Sequence, residues 1–299
     1  MKVVAYGGWK NCVRLENREI EMVVTTDVGP RVIRLGFKGS QNFFREMEDQ
    51  MGKTSGNAWL IYGGHRLWHA PEVTGRTDCP DNDSVPYEWD NKTLKLIPPL
   101  EKAAGIQKEM EITLDPDKNR ISVNHRLINR NLWDVKLSVW ALSVMNKSGR
   151  AIVPQEPFFP HGPGHLLPAR PLVLWEYTRM ADPRWTWGSR YIQARQDPNA
   201  TVSQKIGVLN RQGWAAYVLG GEVFVKRYPF LKDAEYPDYN TNTQVYTDAN
   251  ILEVETLGPM TVLAPGAAAE HCEEWSLHKG DVPGDETGIS RVLEAFIGP

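Results

Sequence analysis

An all-β sandwich is the fold this sequence predicts, and three observations predict it. Apolar and polar residues alternate with a period of two in run after run. The runs are separated by turn chemistry such as Asp115-Pro116-Asp117-Lys118-Asn119 and Gly220-Gly221. Helical spacing is clear only near the C-terminus, at Ile289, Val292, Leu293 and Phe296, while 57–67 is ambiguous. Many strands joined by short turns, without alternation of strand and helix, give a sandwich.

In chain order, 19–26 and 31–37 read as a hairpin around Asp27-Val28-Gly29-Pro30. Residues 107–114 alternate Met110, Ile112 and Leu114 with Glu109, Glu111 and Thr113, and 120–128 returns as the partner strand. Strands follow at 135–145, 205–208, 214–219 and 223–228, and 267–277 reads as a closing strand. Two regions, 63–90 and 154–190, are rich in Pro, Gly, His and Trp and read as long functional loops. Length alone fits one large β domain or two ordinary ones. With no linker-like run, the expectation is a single domain over 1–299, with a C-terminal helix at about 288–297 packed on it.

Composition narrows the function. A net charge of −3 gives no reason to expect a nucleic-acid partner. No apolar run reaches the ~20 residues of a membrane helix, so no membrane partner is expected. The N-terminus turns polar too soon for a signal peptide, which predicts a cytoplasmic protein unless a leader has been removed. Cys12, Cys79 and Cys272 are too few and too scattered for a disulfide framework or a metal knuckle. The 11 Trp suit sugar-ring stacking and β-core filling alike. The sequence does not fix an oligomeric state.

The segment Ile251-Leu252-Glu253-Val254-Glu255-Thr256-Leu257 is the most informative. As a strand it puts Glu253 and Glu255 on one face and Leu252, Val254 and Thr256 on the other. Two adjacent carboxylates are costly to bury, so their face is either wet or lines a cleft that uses acids.

The order of features resembles the galactose mutarotase-like (aldose 1-epimerase) superfamily. The opening hairpin with Gly29-Pro30-Arg31-Val32-Ile33 is similar to the start of that fold. His125-Arg126-Leu127-Ile128-Asn129-Arg130-Asn131 resembles its central hairpin. Glu253 to Pro259 followed by Leu263-Ala264-Pro265-Gly266 resembles its strand for the catalytic base. Tyr62-Gly63-Gly64-His65-Arg66-Leu67-Trp68-His69-Ala70-Pro71-Glu72 looks like a signature of a bacterial, DUF4380-like branch. The resemblance implies a large antiparallel supersandwich that acts on carbohydrate. It also implies Glu255 as the base, with the Glu253 charge raising its pKa. Where sugar mutarotases place a catalytic His on the central strand, this chain reads Val139-Trp140-Ala141. The acid is therefore expected from elsewhere.

His65 and Arg66 follow Gly63-Gly64, a tight turn that would project them into a cleft, with Arg66 gripping hydroxyls or a carboxylate. His69 and Glu72 share that segment. A His65/His69 metal pair would need helix, which Pro71 and the glycines oppose, so no metal and no cofactor are expected. His161 and His165 sit in a rigid Pro/Gly loop, and His65 or His161 would supply the acid. His125 alternates with Val123 and Leu127 and reads as core. Trp185 and Trp187, interleaved with arginines, suit a glycan surface and equally a protein interface, and Asp238 is a candidate ligand contact. The expected function is a sugar isomerase of the mutarotase class, acting on an aldose or uronic acid. The alternatives are a lyase or hydrolase of glycosidic linkages and a non-catalytic glycan-binding module. The partner in each case is a mono- or oligosaccharide, acidic ones included.

Overall fold

The computed structural model describes residues 1–164 and 169–297. It is 44% strand and 5% helix. The chain opens with β1 (Lys2–Tyr6), β2 (Trp9–Glu16), β3 (Ile20–Thr25), β4 (Val32–Phe37) and β5 (His65–Ala70). There follow β6 (Tyr87–Trp89), β7 (Thr93–Leu96), β8 (Ile106–Leu114), β9 (Arg120–Asn129), β10 (Val135–Met145) and β11 (Arg150–Pro154). Next come β12 (Leu172–Leu174), β13 (Trp185–Trp187), β14 (Tyr191–Ala194), β15 (Gln204–Val208), β16 (Trp214–Leu219) and β17 (Glu222–Arg227). A short turn, α1 (Pro237–Asn240), leads to β18 (Thr243–Thr247), β19 (Leu252–Leu257), β20 (Thr261–Leu263) and β21 (Ala268–Lys279). Helix α2 (Glu286–Ile297) ends the described chain.

The strands form two sheets. The first runs β1-β2-β3-β4-β5-β10-β19-β18-β15-β12, with β20 also paired to β10. The second runs β13-β14-β11-β16-β17-β21-β9-β8-β7-β6. Alternation builds the core between them. Leu137, Val139 and Met145 of β10 and Leu252 and Val254 of β19 meet Val123 and Leu127 of β9, Phe224 of β17 and Trp275 of β21. The amphipathic α2 covers the outer face of the second sheet, where Ile289 and Leu293 pack on Ile152, Trp214 and Val223. No described helix is long and apolar enough to cross a membrane.

Two expectations fail here, and the first is the 154–190 loop, which β12 and β13 interrupt. The stretch at 63–90 is not one long loop, because His65–Ala70 is a central strand paired with β10. All six of its residues are buried, so the polar/apolar alternation that marks a half-exposed strand is missing. Gly63 and Gly64 have φ of +101° and +71°, and side chains there would collide with the Arg45 and Val32 carbonyls. They let the chain enter the sheet between two backbones.

Candidate functional site

The cleft lies on the outer face of the first sheet, where β5, β10, β19, β18 and β15 run side by side. Their register sets its contents. Arg66 is opposite Leu142, and Leu142 is opposite Glu255. Trp68 is opposite Trp140. Glu253 is opposite Tyr246, which is opposite Lys205. Side chains of one parity rise from neighbouring strands into a cavity of about 460 Å³. Its wall includes Trp59, Glu72, Asp78, Tyr177 and Asp248. A second lobe of about 300 Å³ shares Glu72, Trp140 and Lys205 and adds Trp175 and Asp238.

Glu255 is 1% exposed. Its Oε2 accepts from the Trp140 indole at 2.9 Å and from the Lys205 ammonium at 3.0 Å. Its Oε1 has no hydrogen-bond partner among the described residues. Burial raises this carboxyl, Lys205 pulls it back and the Glu253 charge raises it again, leaving it at about 7. Arg66 donates to Glu253 at 2.7 Å and packs its guanidinium 4.5 Å from the centre of the Trp68 ring. The Lys205 ammonium lies 4.7 Å from the Trp140 ring and 4.9 Å from Trp175. Burial pushes the Tyr246 phenol up to about 12. The cleft thus holds a carboxyl poised to exchange a proton near neutrality, an ammonium against it and an indole floor.

Of the residues singled out in the sequence, Glu253, Glu255, Arg66 and Glu72 line the main cavity, and Asp238 lines the adjoining lobe. Asp238 accepts from Gln244 and sits in a turn with φ of 51°, so a left-handed backbone holds it there.

The histidines fall elsewhere. His65 is one residue from Arg66 on a strand, so it faces the inter-sheet core and is fully buried. It cannot serve as an acid in the cleft. His69 shares that face, and burial with Lys108 and Arg76 nearby pushes its imidazole down to about 3. It is 2% exposed and lines neither lobe of the cleft. His161 is exposed and lines neither lobe, and His165 lies outside the described residues. Trp185 is buried in the second sheet, with the Trp187 ring tilted against it at 5.5 Å. Arg184 beside them is tied to Asp182. None of Trp185, Trp187 and Arg184 lines either lobe of the cleft.

Lys205, Trp140, Trp68, Tyr177 and Tyr246 are cleft residues that sequence reasoning did not select. One signal existed for Lys205, a lone charge opening the apolar run Ile206-Gly207-Val208.

Behind the cleft, between the sheets, is a second polar cluster. Lys226 pairs with Glu273 at 2.8 Å. The Trp275 indole donates to Glu273 at 2.7 Å, and the Thr256 hydroxyl also donates to it. A hydrogen-bond chain sets the tautomers. His125 Nδ1 donates to the His271 carbonyl at 2.9 Å, so its Nε2 accepts from His65 Nε2 at 2.7 Å. His65 Nδ1 then accepts from the Ser143 hydroxyl at 2.8 Å, and Ser143 accepts from Lys226 at 3.2 Å. His65, His125 and Glu273 have metal-ligand spacing. The Lys226 ammonium already supplies the cation at that carboxylate, which argues against a metal there.

No family model matches the chain, and no curated protein matches it. The narrower DUF4380-like resemblance of Tyr62–Glu72 therefore gains no support. Solved structures do match. A Klebsiella pneumoniae protein provisionally described as an aldose 1-epimerase superposes with a TM-score of 0.62 at 12% identity, over 98% of this chain and 85% of that one. A galactose mutarotase-like protein from Lactobacillus casei gives 0.56 at 10% identity, over 90% of this chain and 100% of that one. Another from Clostridium acetobutylicum gives 0.54 at 11% identity, over 93% and 98%. The architecture is thus a large antiparallel β-sandwich with one open, acid- and indole-lined sheet. The fold is the galactose mutarotase-like fold, as the order of sequence features indicated.

Proposed function

We propose that this chain is a sugar isomerase of the aldose 1-epimerase type, which interconverts the anomers of a free sugar. The observation that carries the reading is Glu255, a buried carboxyl held at about 7 in an open cleft and hydrogen-bonded to an ammonium. A base is most effective when its pKa lies near the working pH. Glu255 takes the proton of the anomeric hydroxyl, and the bond from the anomeric carbon to the ring oxygen breaks. Lys205 gives its proton to that oxygen. After rotation of the aldehyde, the ring oxygen returns its proton to Lys205 and attacks the other face, while Glu255 protonates the new hydroxyl. Both groups end as they began. Lys205 thereby fills the role expected of an imidazole, since no described histidine lines the cleft. Arg66 and Glu253 hold hydroxyls, and Trp68 and Trp140 receive the apolar ring face.

The test is anomer exchange, followed by NMR on a panel of free aldoses. Glu255→Gln should slow exchange by about 10²-fold or more while leaving the fold intact. Unchanged exchange would remove Glu255 as the base. Binding without any exchange would make the cleft a glycan-binding site, and new reducing ends from an oligosaccharide would make it a glycoside-cleaving one.

A further inference from the structure

We infer that the cleft selects sugars carrying a protonated amine, an unacylated amino sugar, over neutral sugars and uronic acids. The inference rests on the reading of the cleft as a sugar site and deepens it. The two lobes are lined by six carboxylates, Glu72, Asp78, Asp238, Asp248, Glu253 and Glu255, against two cations, Arg66 and Lys205. Both cations are already committed, Arg66 to Glu253 at 2.7 Å and Lys205 to Glu255 at 3.0 Å. The other four carboxylates have no ion-pair partner among the described residues. Asp78 and Asp248 accept from backbone amides and Asp238 from Gln244, but these are neutral donors.

A wall with this imbalance repels a uronate and attracts an ammonium. Two independent observations point to a ligand. Glu255, 1% exposed, has an oxygen without a partner, and Arg66, 2% exposed, has its Nε unpartnered. Second, the aromatic lining already holds cations on its faces, with Arg66 on Trp68 and Lys205 between Trp140 and Trp175. Tyr177, Tyr246 and Trp59 offer further rings in the same cavity. Carboxylates joined to electron-rich ring faces are the chemistry that recognises an alkylammonium. The polar floor supplies what the hydroxyls need, so the fitting ligand combines polyol and amine.

The experiment is calorimetric titration of the whole protein near neutral pH at low salt. Its panel is glucosamine, glucose, N-acetylglucosamine and glucuronate, with the galacto series alongside. The expected result is that the amino sugar binds about 10-fold or more tightly than the neutral sugar. The acetylated sugar should lose that advantage and the uronate should bind weakest. Salt should narrow the gap, as should Glu72→Gln, an exposed position whose change spares the fold. Asp248→Asn should narrow it independently. Equal or tighter binding of the neutral sugar, or tightest binding of the uronate, overturns this inference and leaves the sugar site standing. If no hexose in either series binds, both readings fall.

Discussion

Two lysine–carboxylate pairs lie on opposite sides of the first sheet near β19, and they behave oppositely. In the cleft, Lys205 meets Glu255 at 3.0 Å, yet the carboxyl rises to about 7. Between the sheets, Lys226 meets Glu273 at 2.8 Å, and that carboxyl is held far below its usual range. Both are fully buried, so burial alone does not separate them. Their other neighbours do. Glu273 accepts from Thr256 and Trp275, and His65, His125 and His271 surround it. Glu255 accepts from Trp140, has one oxygen without a partner and shares its face with the charge of Glu253. A completely satisfied carboxylate is a structural part, and an incompletely satisfied one is able to work. Glu255 and Thr256 are sequence neighbours, and the strand period of two sends one to each world.

The largest effect expected from this contrast is on stability. Lys226→Met leaves Glu273 as an unpaired buried charge and should cost about 3–5 kcal/mol in denaturant unfolding. Lys205→Met should cost about 1 kcal/mol, because Glu255 can keep its proton, while anomer exchange collapses. Equal stability losses from the two variants would break the distinction.

The pH dependence has opposite signs at the two sites. Unfolded, Glu255 titrates at about 4.3, but native Glu255 holds its proton up to about 7. Between those values the native state binds the extra proton, so this group's contribution to stability falls as pH rises, by on the order of 3 kcal/mol. Above about 7 its contribution is flat. Glu273 is depressed in the native state, so its contribution is present above the unfolded carboxyl pKa and is lost as pH falls. His271, pushed by burial down to about 3, adds to that acid lability as pH drops below about 6.5. The difference in unfolding free energy between Glu255→Gln and the parent should shift steadily in the variant's favour from pH ~5 to pH ~7 and then level off. A difference independent of pH would show that Glu255 titrates normally.

The fold was legible because strand alternation and turn chemistry are local. The boundaries of β10 and β16 follow from their apolar pattern alone, and Glu253 and Glu255 were placed correctly on one face of β19. The site was legible only where a strand was recognised as such. In β5 both faces are buried, so His65 could not be told from Arg66, and one step of parity decides which enters the cleft. Lys205 and Trp140 lie 50 and 115 residues from Glu255 in sequence, and only the register of the sheet brings them to it. The Trp185/Trp187 run looked like a surface because aromatic and Arg residues suit interfaces and cores alike.

The last prediction tests the far wall of the cleft. Arg66 gives one hydrogen bond to Glu253 and stacks on Trp68, which ties it into the order of the wall. If its guanidinium grips a hydroxyl, Arg66→Ala should weaken sugar binding by about 1.5–3 kcal/mol, the scale of a charge-assisted hydrogen bond. Removing it also frees the Glu253 charge beside Glu255, which should raise the Glu255 pKa further and move the pH profile of exchange upward. A purely structural Arg66 predicts a lower melting temperature with affinity and pH profile unchanged. Lys in its place separates the two, because it restores the positive charge beside Glu253 without the planar fork. Recovery of the pH profile but not of affinity would assign Arg66 both roles, electrostatic toward Glu255 and directional toward the sugar.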